Sequence, residues 1–454
     1  MKKINKLDLF YIFLLIQPFV DLVTSIMTRF LNTTITLGII IRGLIFIIGI
    51  IYIFIFSKSK YKKNSCVYLV ILMIYSILYF LLKPSLFINY SDFYIEITYM
   101  FKYYYTLVML LTMFNFFDEY RPNNRRVFKL LQIDLFLYCF LIVLANVTGT
   151  AFATYTYGGE GNTGWFFSGN EIGIVVALLF PLLYLLVNKT YTYKILWYII
   201  PIILAIEIIG TKTSMLGLVL PTVVFLIYYL IRIKNGKKKQ FFLTIIILIT
   251  IIISSPNLPV VQNLKNSISR FQLRINNEEI DEDYSKEVVS SVLLSDRDYF
   301  QKKVSKIYRK ANIYEKLFGI GFTNRKEIND KNIEKLIEMD YYDIFYRYGI
   351  IGFVIYILPF IIITYYVIKL CLKNRFKFNI KQLTLGYISY IGLIIAYMVG
   401  HTLGAPAVAF YVDISFVLLI YYLENDQYKI ELNKNKITIL ALHLGTGGIE
   451  KYLS

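Results

Sequence analysis

Cysteine and histidine are scarce in this sequence, which has three cysteines and two histidines among 454 residues. Cys66, Cys139 and Cys371 lie within or beside apolar runs or basic connectors, so the pattern excludes an extracellular scaffold held by disulfides. Two histidines without any Cys–His cluster argue against a zinc site. The sequence therefore predicts neither a bound metal nor a cofactor.

Charged residues are also few, at 17% of the chain, whereas 57% is hydrophobic and the mean hydropathy is +0.58. A soluble protein of this length carries more charge and fewer apolar runs. Segments such as "LGIIIRGLIFIIGIIYIFIF" reach the roughly 20 apolar residues needed to cross a bilayer. The composition predicts an all-α polytopic integral membrane protein.

The positive charge is concentrated in short connectors between the apolar runs, although the whole chain has a net charge of +18. Lysine and arginine occur in "KSKYKK", "RPNNRRVFK", "RIKNGKKKQ" and "KNRFKFNIKQ", but "LNTTIT" and "GHTLGAPA" contain neither. This alternation indicates that the basic connectors are cytoplasmic. We predict a multi-pass protein of the cell membrane with both termini in the cytoplasm and without a nucleic-acid partner.

Hydropathy predicts about twelve membrane spans and one long external loop at 254–340, between the ninth and tenth spans. In this loop, "LSDRDYFQKKVSKIYRKANIYEKLF" has the pattern of a helix capped by Ser295 and ended by the glycines of "GIGF". The predicted membrane domain covers residues 1–426. The predicted spans begin near Leu7, Thr36, Ser65, Phe93, Lys129, Trp165, Lys194, Ser214, Phe241, Tyr341, Leu383 and Ala405.

The tail at 427–454 is predicted to be a separate cytoplasmic segment. Its end, "KITILALHLGTGGIEKYLS", reads as an apolar strand, a glycine-rich turn and the start of a helix, although the turn is not a full dinucleotide-binding fingerprint. These residues resemble the first strand of GT-B glycosyltransferases, whose complete domain is much longer.

Five motifs occur in order between about Tyr68 and Leu423: "GWFFSGNEIG", "GTKTSMLG", "LSDRDYF", "LFGIGF" and "EMDYYDIFYRYGIIG". Together they resemble the O-antigen ligase and polymerase superfamily of GT-C-like membrane glycosyltransferases. The resemblance implies an outer-face enzyme that uses a polyprenyl-diphosphate-linked glycan in the lipid bilayer. Many ligases of this family have a histidine where this chain has Glu338, so their histidine-base mechanism does not carry over.

The resemblance favours polymerisation of lipid-linked repeat units for a surface polysaccharide. The type of cell envelope that an AT-rich composition suggests favours it as well. Transfer of the glycan to another acceptor, as a ligase performs it, is one alternative. A lipid-linked glycan flippase is another, although such transporters usually contain two repeated halves, and we find no internal repeat here. A flippase and a chain-length regulator of the same pathway are candidate partners.

Glycan transfer needs cations for the departing diphosphate. Arg297 is the first candidate because its planar fork binds phosphate in a bidentate manner, and pairing with Asp296 or Asp298 is the alternative. Lys212 lies between two predicted spans, where it binds phosphate or reaches the interface as a structural lysine. Arg325 and His401 are further candidates for the diphosphate; a surface charge and a structural histidine are their alternatives.

Transfer also needs a base for the acceptor hydroxyl. Glu338, Asp340 and Asp343 precede an apolar run, and an acidic residue there either acts as the base or stabilises a helix N-terminus. Asp343 lies one turn further into the helix, where we expect burial. Asn170 either binds glycan or caps the sixth span.

Overall fold

The computed structural model describes the chain as an almost entirely helical bundle. Its only sheet in the described part is a two-stranded antiparallel pairing of β1 (Phe152–Ala153) with β2 (Asn162–Gly164). The structure describes residues 5–445 except 34, 84–85, 87–89, 156–158, 190–195, 255–257, 276–296, 324–336 and 377.

The helices follow the predicted spans in order. In the first half they are α1 (Lys6–Leu15), α2 (Gln17–Phe30), α3 (Leu37–Ile51, extended by a π-helical turn to Phe56), α4 (Lys62–Leu81), α5 (Tyr90–Tyr120), α6 (Asn124–Val147), α7 (Gly169–Leu179), α8 (Leu182–Val187) and α9 (Leu196–Ile209). In the second half they are α10 (Lys212–Ile231), α11 (Lys238–Ser254), α12 (Pro259–Ile275), α13 (Arg297–Lys310), α14 (Ile313–Phe318), α15 (Asp340–Lys373), α16 (Ile380–Met398) and α17 (Pro406–Gly445).

Eight helices among the described residues are long and apolar enough to cross a membrane, or ten if two bent pairs each form one span. The bent pairs are α1 with α2, at 53°, and α11 with α12, at 48°. The structure thus confirms an all-α polytopic membrane protein. The predicted count of about twelve is reached only by adding α5, which contains several charged residues, and α9, which has 14 residues.

Two central spans organise the bundle. One is formed by α7 and α8, and the other is the first half of α17, which packs against α5, α7, α15 and α16. Both are largely buried, whereas α3 and α4 expose most of their apolar side chains. In a bilayer, the exposed side chains face lipid, and the polar residues on the central helices are shielded from it.

Two local expectations were wrong. The helix predicted across the second half of the long loop is two helices, because Asn312 starts α14 with a capping box that it forms with Glu315; Ser295, its predicted cap, lies outside the described residues. The strand predicted in the tail is helical up to Gly445, since α17 continues past the bundle.

A kink in α15 fixes the loop that follows α14. Gly349 has φ of +72° and ψ of −176°, which no helix allows, so the backbone carbonyls before it are released from the helix. The carbonyls of Tyr346 and Arg347 instead accept hydrogen bonds from Ile320 and Gly321. The "GIGF" loop is therefore fastened to the first turns of α15, where the predicted carboxylates lie.

The predicted sidedness can be tested with cysteines at two exposed positions, after replacement of the three native cysteines. Tyr314→Cys on α14 should react with a membrane-impermeant maleimide in intact cells, and Asn235→Cys in the basic connector should react only after permeabilisation, because basic connectors are retained inside. Mass shift of the labelled protein measures both. The reverse labelling pattern would invert the topology.

Candidate functional site

Three predicted residues from distant parts of the chain meet at one end of the bundle. The Glu338 carboxylate accepts a hydrogen bond from Arg297 at 3.1 Å, and its Oε2 lies 3.7 Å from His401 Nε2. The side chain of Arg297 is only 9% exposed, whereas those of Glu338 and His401 are 23% and 26% exposed. A carboxylate between two basic groups is thus accessible from solvent.

The backbone is strained at both ends of this contact. Glu338 has φ of +61° and His401 has φ of +56°, in the left-handed region that costs non-glycine residues about 1–3 kcal/mol each. Gly400, with φ of +70°, lies against the Glu338 carbonyl, and a Cβ at this position would overlap that oxygen. Strain of this kind persists only where the surrounding structure holds the chain in place.

Asp340 holds the turn that carries His401. Its carboxylate accepts hydrogen bonds from the backbone N–H groups of His401, Thr402 and Leu403, at 3.1, 2.9 and 2.7 Å. The side chain is buried at the N-terminus of α15. Its oxygens are therefore engaged with the backbone of the segment that joins α16 to α17.

Asp343 holds the turn that carries Glu338. Its carboxylate accepts hydrogen bonds from the N–H groups of Ile337 and Glu338, at 3.2 and 3.1 Å. Asp343 is buried, as expected for its place one turn into the helix. The two aspartates therefore fix one strained turn each. Whether either also exchanges a proton with substrate stays a prediction.

His401 is surrounded by carboxylates. Burial lowers the pKa of His401, but the nearby carboxylate of Glu338 and the charges of Glu171 and Asp340 raise it more, so the pKa lies above the usual 6.5. His401 therefore stays protonated to a higher pH than an ordinary histidine, and in that form it adds a second cation beside Arg297.

Sequence reasoning missed Arg347, which supports the site from α15. Arg347 is buried one helical turn beyond Asp343, donates to the Gly321 carbonyl at 2.9 Å and lies 5.5 Å from the Phe322 ring. Glu96 of α5 holds the same loop by accepting from the N–H and hydroxyl groups of Thr323. The four-residue spacing of Asp343 and Arg347 was the available signal.

The remaining candidates lie elsewhere in the chain. Lys212 begins α10 after the cap residue Thr211 and is partly exposed. Asn170 is in the first turn of α7, where Ser168, not Asn170, caps the helix. Arg325 lies outside the described residues. Their proposed contacts with diphosphate or glycan stay predictions.

An apolar groove of about 740 Å³ begins beside the site and follows α15 along the bundle. Tyr341, Tyr342 and Tyr397 form the end nearest Glu338, and Ile361, Tyr365 and Ile368 form the far end on the exposed face of α15. The lining residues are uncharged, and Tyr341 directly follows Asp340 in α15. An apolar groove that is open along a membrane helix and begins beside this carboxylate turn suits an amphiphile with a long hydrocarbon chain.

The family of the chain follows from its comparison with known proteins. The family model described as "O-antigen ligase like membrane protein" matches residues 3–426. The chain belongs to this family. The match spans all helices that form the site. A search of curated proteins found no match.

Membership of the O-antigen ligase family makes this chain a glycan-handling membrane enzyme, with the Glu338–Arg297–His401 group, here called the charged triad, at the end of a bilayer-embedded bundle. No cluster of three or more metal-ligating side chains occurs in the described part of the chain.

Gly400→Ala should destroy the site because the new methyl group would collide with the Glu338 carbonyl and because alanine disfavours a φ of +70°. We expect loss of glycan transfer and a lower midpoint of thermal unfolding in detergent. Gly386→Ala is the matched control: no atom lies within 4 Å of the place that its new methyl group would take in helix α16, so stability should be kept or raised by about 0.5–1 kcal/mol. Equal behaviour of the two variants would contradict the close packing.

Proposed function

We propose that the protein polymerises polyprenyl-diphosphate-linked oligosaccharide repeat units at the outer face of the membrane. The observation that supports this most is the charged triad, in which a solvent-accessible carboxylate lies between two basic groups beside an apolar groove. The triad offers both a proton acceptor and an anion site, and the groove offers room for the lipid.

Arg297 and protonated His401 are the proposed diphosphate ligands. Arg297 is anchored with little exposure, so its fork is held in place before substrate arrives. Preorganised cations at the leaving group commonly contribute the largest part of such catalysis. In the absence of substrate both groups contact Glu338, and the diphosphate would compete for them, leaving the Glu338 carboxylate for the acceptor.

Glu338 is the proposed base. The acceptor hydroxyl oxygen attacks the anomeric carbon of the donor glycan, and the bond from that carbon to the diphosphate oxygen breaks with its electron pair. The hydroxyl proton passes to Glu338, and the products are the extended glycan and polyprenyl diphosphate. General-base assistance of this kind typically contributes about 10²–10⁴-fold.

Asp340 and Asp343 are assigned positioning roles. Neither takes the hydroxyl proton in this scheme, since each accepts two or three backbone N–H groups that fix His401 or Glu338. This assignment replaces the alternative that either serves as the base. Lys212, Arg325 and Asn170 keep their predicted roles in diphosphate or glycan binding as secondary proposals.

The groove along α15 is the proposed place of the polyprenyl chain. Its aromatic end adjoins Asp340 through neighbouring residues of the same helix, and its far end faces the lipid side of the bundle. Entry from the bilayer would place the diphosphate at the charged triad and the glycan outside the membrane. This arrangement supports a donor anchored in lipid.

A polymerase, a ligase and a flippase would each give a different product from the same lipid-linked donor. The purified protein in lipid nanodiscs is given lipid-linked repeat units with and without a second hydroxyl acceptor. A ladder of glycans on the lipid carrier supports polymerisation. A single addition to the second acceptor would support ligation instead, and in proteoliposomes movement of donor without a new glycosidic bond would support a flippase.

Glu338→Gln should lower polymer formation by about 10²–10⁴-fold because the amide cannot accept the proton. Arg297→Lys should also be severe because lysine retains the charge without the bidentate fork. The controls are Asp8→Asn and Arg309→Lys, whose side chains are exposed. Asp8 lies in α1, and Arg309 lies about three turns after Arg297, at the other end of α13. Near-normal polymer from the Glu338 variant at normal membrane abundance would remove Glu338 from the mechanism.

The rate should fall as the pH rises through the pKa of His401, which lies above 6.5, because deprotonation removes one of the two cations. His401→Lys keeps a cation to higher pH, so its residual rate should lack this decline. His401→Gln should be slow at every pH. Rates of polyprenyl diphosphate release from about pH 5.5 to about pH 9.5, a range that brackets the ordinary histidine pKa, measure the effect. A wild-type rate that rises through this range would show that neutral His401 is the active form.

A further inference from the structure

A small polar cavity, which shares no lining residue with the groove along α15, lies beside the first turn of α7. Its volume is about 90 Å³, and it is enclosed by α2, α3, the start of α7 and the start of α17. The polar side chains at its wall are Asp21, Thr24, Arg42, Ser168 and Glu171, and the aromatic ones are Phe166 and Phe167.

Arg42, in the wall of this cavity, has a hydrogen-bond donor that no described residue uses. Its guanidinium forms an ion pair with Asp21, and Asp21 also accepts from the Tyr138 hydroxyl at 2.6 Å. Arg42 is 8% exposed, yet its Nε is buried without a hydrogen-bond partner among the described residues. A buried N–H of a cation costs free energy unless an oxygen accepts from it.

Glu171 and Phe167 complete the cavity with an acceptor and an apolar face. No hydrogen bond to the Glu171 carboxylate is formed within the described chain, and its charge contributes to the raised pKa of His401. Phe167 is 52% exposed, so its ring is open at the cavity mouth. The Arg29 guanidinium lies 5.2 Å from this ring and donates to the Phe167 carbonyl, which fixes the backbone.

The cavity offers a carboxylate, a cationic N–H without an acceptor and an exposed aromatic ring. These groups match the polar edge and the apolar face of a sugar ring. Ring hydroxyls both donate and accept hydrogen bonds, and the C–H face of a pyranose packs on aromatic rings. The cavity holds about three water molecules at their liquid volume, so only a hydroxyl-bearing edge fits inside, with the ring face on Phe167.

We propose that this cavity is the acceptor-sugar subsite, which binds the terminal pyranose of the acceptor glycan through Arg42, Glu171 and Phe167. Ala407 at its wall lies six residues after His401, on the helix that the His401 turn begins. The donor then reaches the charged triad from the groove along α15, and the acceptor reaches it from the cavity beside α7. The proposal rests on the proposed glycan transfer for its role, but sugar binding can be measured without catalysis.

The probe is the free oligosaccharide released by mild acid from the host's own lipid-linked repeat unit, titrated into the nanodisc protein. Phe167→Ala should weaken its binding about fivefold to tenfold, since it removes an aromatic contact. The control is Phe56→Ala. Phe56 is about as exposed as Phe167 but lies at the end of α3 that is remote from Arg42, so the affinity for the oligosaccharide should be unchanged. The double variant Asp21→Asn with Arg42→Gln removes the ion pair without leaving a lone charge and should weaken binding at least about tenfold.

The same variants separate this proposal from the proposed reaction. In transfer assays, Phe167→Ala should raise the KM for the acceptor more than it lowers kcat. Wild-type binding that depends on Phe167 without any transfer would refute the reaction and keep the subsite. Unchanged oligosaccharide affinity in both variants, with a lower unfolding temperature in the double variant, would make the ion pair structural and overturn the subsite.

Discussion

The site depends on two buried carboxylates that bind backbone N–H groups. Asp340 holds the turn of His401, and Asp343 holds the turn of Glu338, so two residues with left-handed φ are fixed against each other across Gly400. Without these hydrogen bonds, the strain at both turns would be relieved by movement of Glu338 and His401. Because a buried carboxylate needs several donors, the same contacts also stabilise the aspartates.

This arrangement separates the residues that hold the site from those that meet solvent. Asp340, Asp343 and Arg347 are buried on α15, while Glu338 and His401 remain partly exposed just outside the helix ends. The kink at Gly349 allows the "GIGF" loop to pair with carbonyls of α15, which joins the long loop to the same helix. The long loop between two spans is thereby attached to the rigid bundle. A functional site needs such rigid support for its side chains.

The sequence predicted the helical membrane class, the family and the residues that meet in the triad, because apolar length, charge asymmetry and motif order are local signals. It did not distinguish Glu338 from Asp340 and Asp343, since three carboxylates in six residues look alike until the backbone shows which one has a left-handed φ. The helix break at Asn312 depended on a capping box, and the tail strand was wrong because its apolar residues continue α17. Glu171 lay inside a recognised motif, but its proximity to His401 comes only from the packing of α7 against α17.

Charge counting explains why a base would lie between two cations. In the structure, the Glu338 carboxylate contacts both Arg297 and His401, so it occupies the cations that a diphosphate would need. A glycan-linked diphosphate diester carries two negative charges, which match the two cations and would displace Glu338 from them. Glu338 would then be released from both basic groups and would face the acceptor hydroxyl. Donor binding would thus make the carboxylate available only when a leaving group is in place, and without donor water would meet a carboxylate that is held by two basic groups.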